Sequence, residues 1–164
     1  MTELLTREET PYFVRRIETT EEADRTASML IQAQSELLGA YSPVGPEVSF
    51  VNMLTLVRRC HSDALALIAR LHDVDRIIGC LAWLPDHGAR MAHGIGTYVD
   101  PAFRGTGVST ALRMMGIDRC RALGLRQVLG SVSIENLVGL KSCLDLGFNK
   151  VGWVVALKIP EKKP

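Results

Sequence analysis

The fold of this chain is decided by the stretch Val99-Asp100-Pro101-Ala102-Phe103-Arg104-Gly105-Thr106-Gly107-Val108-Ser109-Thr110-Ala111-Leu112. An apolar segment is followed by a turn with two glycines and then by apolar residues at helical spacing. This order predicts a strand, a turn and a helix. Gly105 and Gly107 let the backbone approach a ligand without a Cβ clash, and the N–H groups of the first helical turn point where an anion binds. A plain loop before a helix has the same pattern, so the stretch alone fits both a phosphate site and a simple turn.

Length and composition are those of one globular domain. The 164 residues predict a single domain over 1–164, with frayed tails at 1–10 and 160–164. Hydrophobic residues make up 47% and charged residues 23%, which disfavours a disordered or fibrous chain. Nineteen basic and eighteen acidic side chains leave a net charge of +1, which disfavours nucleic acid as a partner.

The spacing of the cysteines and the hydropathy of the chain indicate whether it binds a metal ion and in which cellular compartment it is expected. The sequence has no C-x-x-C pair and no histidine at the spacing of a zinc site. We therefore expect no metal site and predict that the cysteines are reduced, partly buried thiols. The N-terminus lacks the layout of a signal peptide, and no apolar run reaches membrane-spanning length, which predicts a cytoplasmic protein with no membrane partner. The four thiols belong to Cys60, Cys80, Cys120 and Cys143.

Periodicity and turn residues predict the order β-α-α-β-β-β-α-β-α-β, a mixed sheet covered by helices. Thr19 and Glu22 have the spacing of a capping box before the first helix. Gly94 and Gly96 inside a strand indicate a bulge or a ligand against the backbone, and a packing accommodation is an equal alternative. The predicted strands are 12–18, 64–70, 76–84, 91–99, 127–133 and 151–159. The predicted helices are 23–38, 48–61, 107–123 and one from Asn136 with Leu140, Cys143 and Leu144 inside, closed by Gly147.

Two motifs in the second half resemble a known family. Arg104-Gly-Thr-Gly107-Val-Ser109 resembles the Q/R-x-x-G-x-G/A signature of the GNAT superfamily, the acyl-coenzyme A (acyl-CoA) dependent N-acyltransferases, and Val99-Asp-Pro101 strengthens the match. Asn136, with Gly139 at plus three and Gly147-Phe148 from plus eleven, resembles the family's N-x-x-A-x-x-x-Y-x-x-x-G-F segment. The resemblance implies an α/β (α+β) fold: a mixed, largely antiparallel sheet of six or seven strands with about four helices, splayed at strands 4 and 5.

The resemblance also implies a donor site for acyl-CoA. Backbone amides of the first motif would bind the pyrophosphate, with added charge from one arginine, and the pantetheine arm would lie between the splayed strands. Asn136 is similar to an asparagine that steadies the pantetheine, and a plain helix N-cap explains it as well. The implied donor-binding residues are Val99, Arg104, Gly105, Thr106, Gly107, Val108, Ser109 and Asn136.

The catalytic residues are less well indicated than the donor site. Cys143 stands where many family members have a tyrosine that protonates the departing thiolate, and a small core residue is the alternative reading. His93 stands where several members have a carboxylate that acts as a base through water, and a hydrogen-bonded strand histidine is the alternative. Tyr98 is a second candidate for the acid or hydrogen-bond donor. Loop candidates for the acceptor pocket are Glu47, Asp86 and His87.

The predicted function is direct transfer of an acetyl or other short acyl group from acyl-CoA to a primary amine in a ternary complex. The alternatives are a CoA-binding or protein-interaction module that has lost catalysis, and an acyltransferase for a protein amine or a modified nucleic-acid base. Too few residues follow Gly147-Phe148 for the usual two closing strands. The last strand is therefore absent or comes from another subunit, which favours a homodimer.

Overall fold

A computed structural model of the chain describes residues 10–38, 46–132 and 136–151, with residues 37–38 and 46–49 as backbone only. The strands are β1 (Tyr12–Arg16), β2 (Ala66–Leu71), β3 (Ile77–Asp86), β4 (Met91–Val99) and β5 (Gln127–Leu129). The helices are α1 (Thr20–Leu38), α2 (Pro46–Ser62), α3 (Val108–Ala122) and α4 (Leu137–Asp145), and a 3-10 turn (Pro101–Phe103) joins β4 to α3.

The strands form one mixed sheet in the order β1-β2-β3-β4-β5. The first four are antiparallel neighbours, and β4 and β5 run parallel. This confirms the expected fold class, with five strands in the described residues against the six or seven expected. The strand expected at 151–159 lies outside the described residues apart from Val151, as do the expected tails apart from Thr10.

The sheet opens between β4 and β5. These strands pair only at Met91–Gln127, Ala92–Val128 and His93–Leu129, so from Gly94 onward β4 has no strand partner on that side within the described chain. This confirms the expected splay and corrects the predicted strand 127–133, because a strand that diverges from its neighbour loses its ladder hydrogen bonds after Leu129.

A bulge bends β4 where the opening begins. Ala82 pairs with Gly96 and Trp83 with Gly94, which leaves Ile95 as the extra residue and confirms the bulge prediction. A Cβ added to Gly94 would lie 3.4 Å from both the Leu129 carbonyl oxygen and the Gly130 Cα. The small residue therefore keeps β4 and β5 in close contact just before they part.

Each face of the sheet has its own core. Helices α1 and α2 cover one face, where the buried side chains include Ile17, Ala27, Leu30, Val57 and Ile68. Helix α3 covers the other, where they include Leu67, Leu81, Trp83, Val108 and Leu112. A Cβ added to Gly116 would lie 2.7 Å from the Trp83 ring, so α3 packs unusually close to β3.

The caps confirm several sequence predictions and correct one helix start. The Glu22 amide donates to the Thr19 hydroxyl at 3.1 Å, and the Thr19 amide donates to the Glu22 carboxylate at 3.4 Å. Because Thr19 is the N-cap of this capping box, α1 begins at Thr20 and not at residue 23. At the end of α4 the Gly147 amide donates to the Leu144 carbonyl, which confirms Gly147 as the stop.

Two predicted strand ends and one helix face are wrong. Ala64 does not begin β2: with φ 56° it closes α2, donating its amide to the His61 carbonyl. Strand β3 continues past residue 84 through Pro85 as a partner of β4. The last β3 residue that pairs with β2 is Ala82, so the missing N–H of Pro85 leaves no gap in a strand ladder on that side. In α4, Ser142 accepts from Arg113 of α3, which turns Leu144 outward to 43% exposure.

Candidate functional site

The turn between β4 and α3 is held by contacts of its own residues. The Asp100 carboxylate accepts from the Ala102 amide at 3.0 Å and from Arg76 at 2.7 Å, and the Phe103 amide donates to the Asp100 carbonyl. These hydrogen bonds, that from Arg76 foremost, hold the pKa of Asp100 below its usual value. Asp100 is therefore ionised at neutral pH and fixes the direction in which the chain leaves the sheet.

The start of α3 is open to solvent and has no side-chain cap. Gly107 is the N-cap with φ 88°, and no side chain hydrogen-bonds to the first-turn amides. The Thr106 hydroxyl donates back to the Phe103 carbonyl at 2.6 Å, while Val108 is buried and anchors the helix. We call residues 105–109 the cradle: exposed backbone whose N–H groups lie at the positive end of a helix, as an anion site requires.

Arg104 binds protein groups on the α1 side of the turn. Its Nε donates to the Val99 carbonyl at 3.1 Å, an Nη atom donates to Glu36 at 2.7 Å, and the guanidinium lies 5.8 Å from the centre of the Tyr98 ring. The hydrogen bond from Arg104 lowers the pKa of Glu36. The structure thus brings Tyr98, Val99 and Arg104 together, and the Arg104 charge is already matched by a carboxylate.

His93 and Tyr98 lie on the same face of β4 at different ends of the opening. His93 is half-buried and pairs with Leu84 on one side and Leu129 on the other, where β4 and β5 part. Tyr98 is only 6% exposed, and its burial raises its pKa, so its hydroxyl holds its proton at neutral pH. Five residues of strand separate the two by roughly 15 Å, so they do not act on one proton directly.

Helix α4 places Asn136 and Cys143. The Asn136 side chain accepts from the Gly139 amide at 2.9 Å, which confirms the N-cap interpretation. A Cβ added to Gly139 would lie 2.4 Å from the Asn136 amide nitrogen, so glycine leaves room for the capping side chain. Cys143 is half-buried, while burial raises the pKa of the Cys60 and Cys80 thiols to about 12. Of these three thiols, Cys143 is the one open to solvent.

The three loop candidates for the acceptor pocket are not brought together. Asp86 ends β3 and accepts from the Ala89 amide at 2.9 Å, and the His87 ring lies 3.1 Å from the Asp63 carboxylate. Both lie at the turn before β4, at the end of that strand remote from the cradle. Glu47 belongs to α2, and its side chain is outside the described atoms.

Sequence reasoning missed two residues that organise this region. Glu36 is 68 positions from its partner Arg104, and Arg76 is 24 positions from Asp100. Charged residues on an exposed helix end or strand start carry no local pattern that indicates such partners. Among the described residues, no group of three or more His, Cys, Asp or Glu side chains has the arrangement of a metal site, and no helix is long and apolar enough to cross a membrane.

The fold and site define a class: an α/β protein whose sheet is split between β4 and β5, with the uncapped start of a helix at one end of the split. The chain belongs to the acetyltransferase (GNAT) family, whose model matches residues 10–148. The enzymes of this family use acetyl-CoA as the acyl donor.

Individual relatives show how far the similarity extends. Mycothiol acetyltransferase of Renibacterium salmoninarum is 28% identical over 114 residues, 66% of this chain and 33% of that protein, so the chain spans about a third of this curated relative. The structure of AAC(6′)-Iy in complex with the bisubstrate analogue CoA-S-monomethyl-acetylneamine has a TM-score of 0.67 and 17% identity, covering 92% of this chain and 99% of that one. Ribosomal-protein-S5-alanine acetyltransferase from Vibrio fischeri has a TM-score of 0.66 and 22% identity, covering 88% and 83%.

Proposed function

We propose that this chain transfers an acetyl group from acetyl-CoA to a primary amine by direct attack while both substrates are bound. The observation that carries the proposal is the opening between β4 and β5, with the uncapped start of α3 at one end and His93 at the other. Family membership supports the donor. The bisubstrate analogue bound to AAC(6′)-Iy, a protein of the same fold, joins CoA to an acceptor in one ligand and supports a complex that holds both.

The donor is proposed to lie along the free edge of β4. The cradle amides of residues 105–109 bind the pyrophosphate, and Gly107 and Ser109 keep the approach open. Residues 94–99 then face no strand on that side over about 20 Å of extended backbone, and of their main-chain groups the Val99 carbonyl already accepts from Arg104. This length is enough for the pantetheine arm. The thioester reaches the bulge at Gly94–Gly96, next to His93. Asn136 supports this arrangement by fixing the start of α4.

The proposed chemistry needs three groups: a base for the ammonium proton, a hydrogen-bond donor for the oxyanion and a proton source for the CoA thiolate. The acceptor ammonium gives a proton to His93, directly or through water, and the neutral amine then attacks the thioester carbonyl. A backbone N–H of the free β4 edge at the bulge, beside the thioester, stabilises the oxyanion, since Tyr98 and Val99 lie too far along the strand to do so. The C–N bond forms first and gives a tetrahedral intermediate. The C–S bond then breaks, the nitrogen releases its second proton to water, and the CoA thiolate takes a proton from Cys143 or from water.

A substitution at His93 tests the assignment of the base. We expect His93→Gln to lower kcat with the preferred amine by about 100-fold, since loss of a positioned base costs on the order of 10²–10⁴. The thermal shift on adding CoA should stay, because His93 is remote from the cradle. Turnover is measured as thiol release from acetyl-CoA over a panel of small amines and peptides with a free N-terminus.

The matched control is His87→Gln, a histidine at the β3–β4 turn that contacts Asp63. It should keep the turnover of the unchanged protein. Equal turnover of both variants would contradict the role of His93. If the unchanged protein shows a CoA-dependent thermal shift and no thiol release with any amine, the CoA-binding module replaces the enzyme as the function.

A second candidate function, that CoA-binding module, is favoured by one observation. Cys143 is a half-buried thiol where many relatives have the tyrosine that protonates the leaving group. We expect Cys143→Ala to keep turnover within about threefold, because a coenzyme thiolate also takes a proton from water. Thiol release by the two proteins at equal CoA saturation measures this. Complete loss of turnover with CoA binding intact would make Cys143 the acid.

A further inference from the structure

A cleft of about 370 Å³ lies on the α3 face of the sheet, at the end remote from the cradle. Its walls come from the end of β1, the start of β2 and the last turns of α3. Arg119 in this cleft is 11 positions after Val108, which is about 16 Å along the helix axis. The cleft is therefore separate from the donor site and from the opening between β4 and β5.

Arg119 is unusual because it lies on the inward side of α3. It follows Met115 by four positions and Gly116 by three, and both of these face the sheet. Its Nε is buried and has no hydrogen-bond partner. A buried donor without a partner is unfavourable, so Arg119 is held at this position at a cost to the stability of the fold.

A second guanidinium reaches the cleft from β1. Arg16 alternates with Tyr12 and Val14, which pack on the α3 face, and stands opposite Leu67 of β2. Within the described residues, neither Arg16 nor Arg119 has a carboxylate within ion-pair distance. The neighbouring acid Glu18 lies 3.4 Å from Arg15, which also binds Glu22. Glu18 and Arg15 also line the cleft, so its three arginines face one carboxylate, and that carboxylate lies against Arg15 rather than Arg16 or Arg119.

The cleft also has an apolar surface, formed by Ala64, Leu67 and Met115, while Arg15 and Glu18 complete its polar lining. Inorganic phosphate would leave that surface unused, whereas an aliphatic chain would cover it and release water. The volume falls in the range of small-molecule sites.

We propose that this cleft binds a small aliphatic carboxylate, with its carboxylate between the guanidinium groups of Arg16 and Arg119 and its chain on Met115 and Leu67. Arginine suits this role because its fork of N–H donors matches the two oxygens of a carboxylate. The bound carboxylate accepts from the Nη groups of the two arginines and gives Arg119 the anionic partner that it lacks. The site is independent of the proposed transferase activity, since it shares no residue with the donor site.

Calorimetric titration of the full chain with hexanoate at constant ionic strength tests the proposal. We expect saturable binding that Arg16→Gln and Arg119→Met each weaken by about tenfold or more, the size of one lost charge-assisted hydrogen bond. Inorganic phosphate should bind more weakly than hexanoate. The matched control is Arg121→Gln, in the same last turn of α3 but 71% exposed and paired with Asp118, which should bind hexanoate like the unchanged protein.

Three outcomes would overturn the proposal: no saturable binding of hexanoate, equal binding by all three variants, or tighter binding of phosphate than of hexanoate. Thermal unfolding separates a ligand site from a structural role. If Arg119 is there for a ligand, Arg119→Met keeps or raises the unfolding temperature while it loses hexanoate binding, because methionine removes the unpaired buried donor. A lower unfolding temperature with unchanged binding would show a structural role.

Discussion

Replacing Gly107 with alanine should weaken the binding of CoA by about tenfold or more. Gly107 has φ 88°, and an L-residue with a Cβ costs about 1–2 kcal/mol in that left-handed conformation. The chain relieves this strain by rotating φ, and the rotation turns the Val108 and Ser109 amides away from a bound pyrophosphate. Calorimetric titration with CoA measures the loss of affinity, and urea unfolding measures the accompanying loss of stability, about 1 kcal/mol.

The chain offers a matched control for this variant. Gly147 has φ 90° after the end of α4, and a Cβ added there meets nothing within 4 Å. Gly147→Ala should therefore lose a similar free energy of unfolding and keep the CoA affinity of the unchanged protein. If both variants bind CoA equally well, the cradle is not the pyrophosphate site. If the unchanged protein does not bind CoA, the donor proposal itself is wrong.

The turn before α3 and the helix caps were predictable because their determinants are local. The residues of the cradle are consecutive, and the positive φ of Gly105 and Gly107 is what a glycine pair in a turn indicates. The caps at Thr19, Glu22 and Asn136 follow from spacings of three residues. Interactions between residues so close in sequence leave a readable pattern.

The errors arise where distant segments decide the structure. Strand β5 ends at Leu129 because β4 diverges from it, and nothing in residues 130–133 indicates this. Ala64 adopts a left-handed conformation that glycine usually supplies, so the end of α2 carried no signal. The pair of Arg104 with Glu36 joins a turn to a helix 68 positions away. The same limit applies to the acceptor, whose pocket depends on several segments that meet only in the fold.

Glu22 joins α1 to the sheet through a half-buried ion pair. Its carboxylate accepts from Arg15 at 3.1 Å and from the Glu18 amide at 2.8 Å, and Arg70 lies 3.5 Å away. The Glu22 side chain is only 10% exposed, so water screens these contacts little. The residue thus acts both as half of the capping box and as the partner of two arginines from neighbouring strands.

We expect Glu22→Gln to lower the free energy of unfolding by about 2 kcal/mol, since the variant removes the buried carboxylate shared by Arg15 and Arg70 and leaves them only the exposed Glu18 and Asp75 as partners. Glutamine keeps an oxygen that accepts from the Glu18 and Thr19 amides, so the change isolates the charge. The control is Glu21→Gln, whose carboxylate is 73% exposed and pairs with Arg25. It should cost less than about 0.5 kcal/mol, as exposed pairs do. Equal losses for both variants would contradict the proposed importance of Glu22.

The pH dependence of this difference identifies the charge as its cause. The hydrogen bond from Arg15 lowers the pKa of Glu22 in the folded chain below the value of about 4.3 expected when unfolded. Its contribution is therefore complete above that unfolded-state pKa and is lost as the pH falls through the lower folded-state pKa. The pKa values of Glu36 and Asp100 are also lowered, but both residues are present in both proteins, so their effects cancel in the difference. Urea unfolding of the unchanged protein and of Glu22→Gln should give free energies of unfolding whose difference is constant from pH 7 to about pH 5 and shrinks below that pH. A difference that stays constant at acid pH would show that the variant loses packing and not a charge interaction.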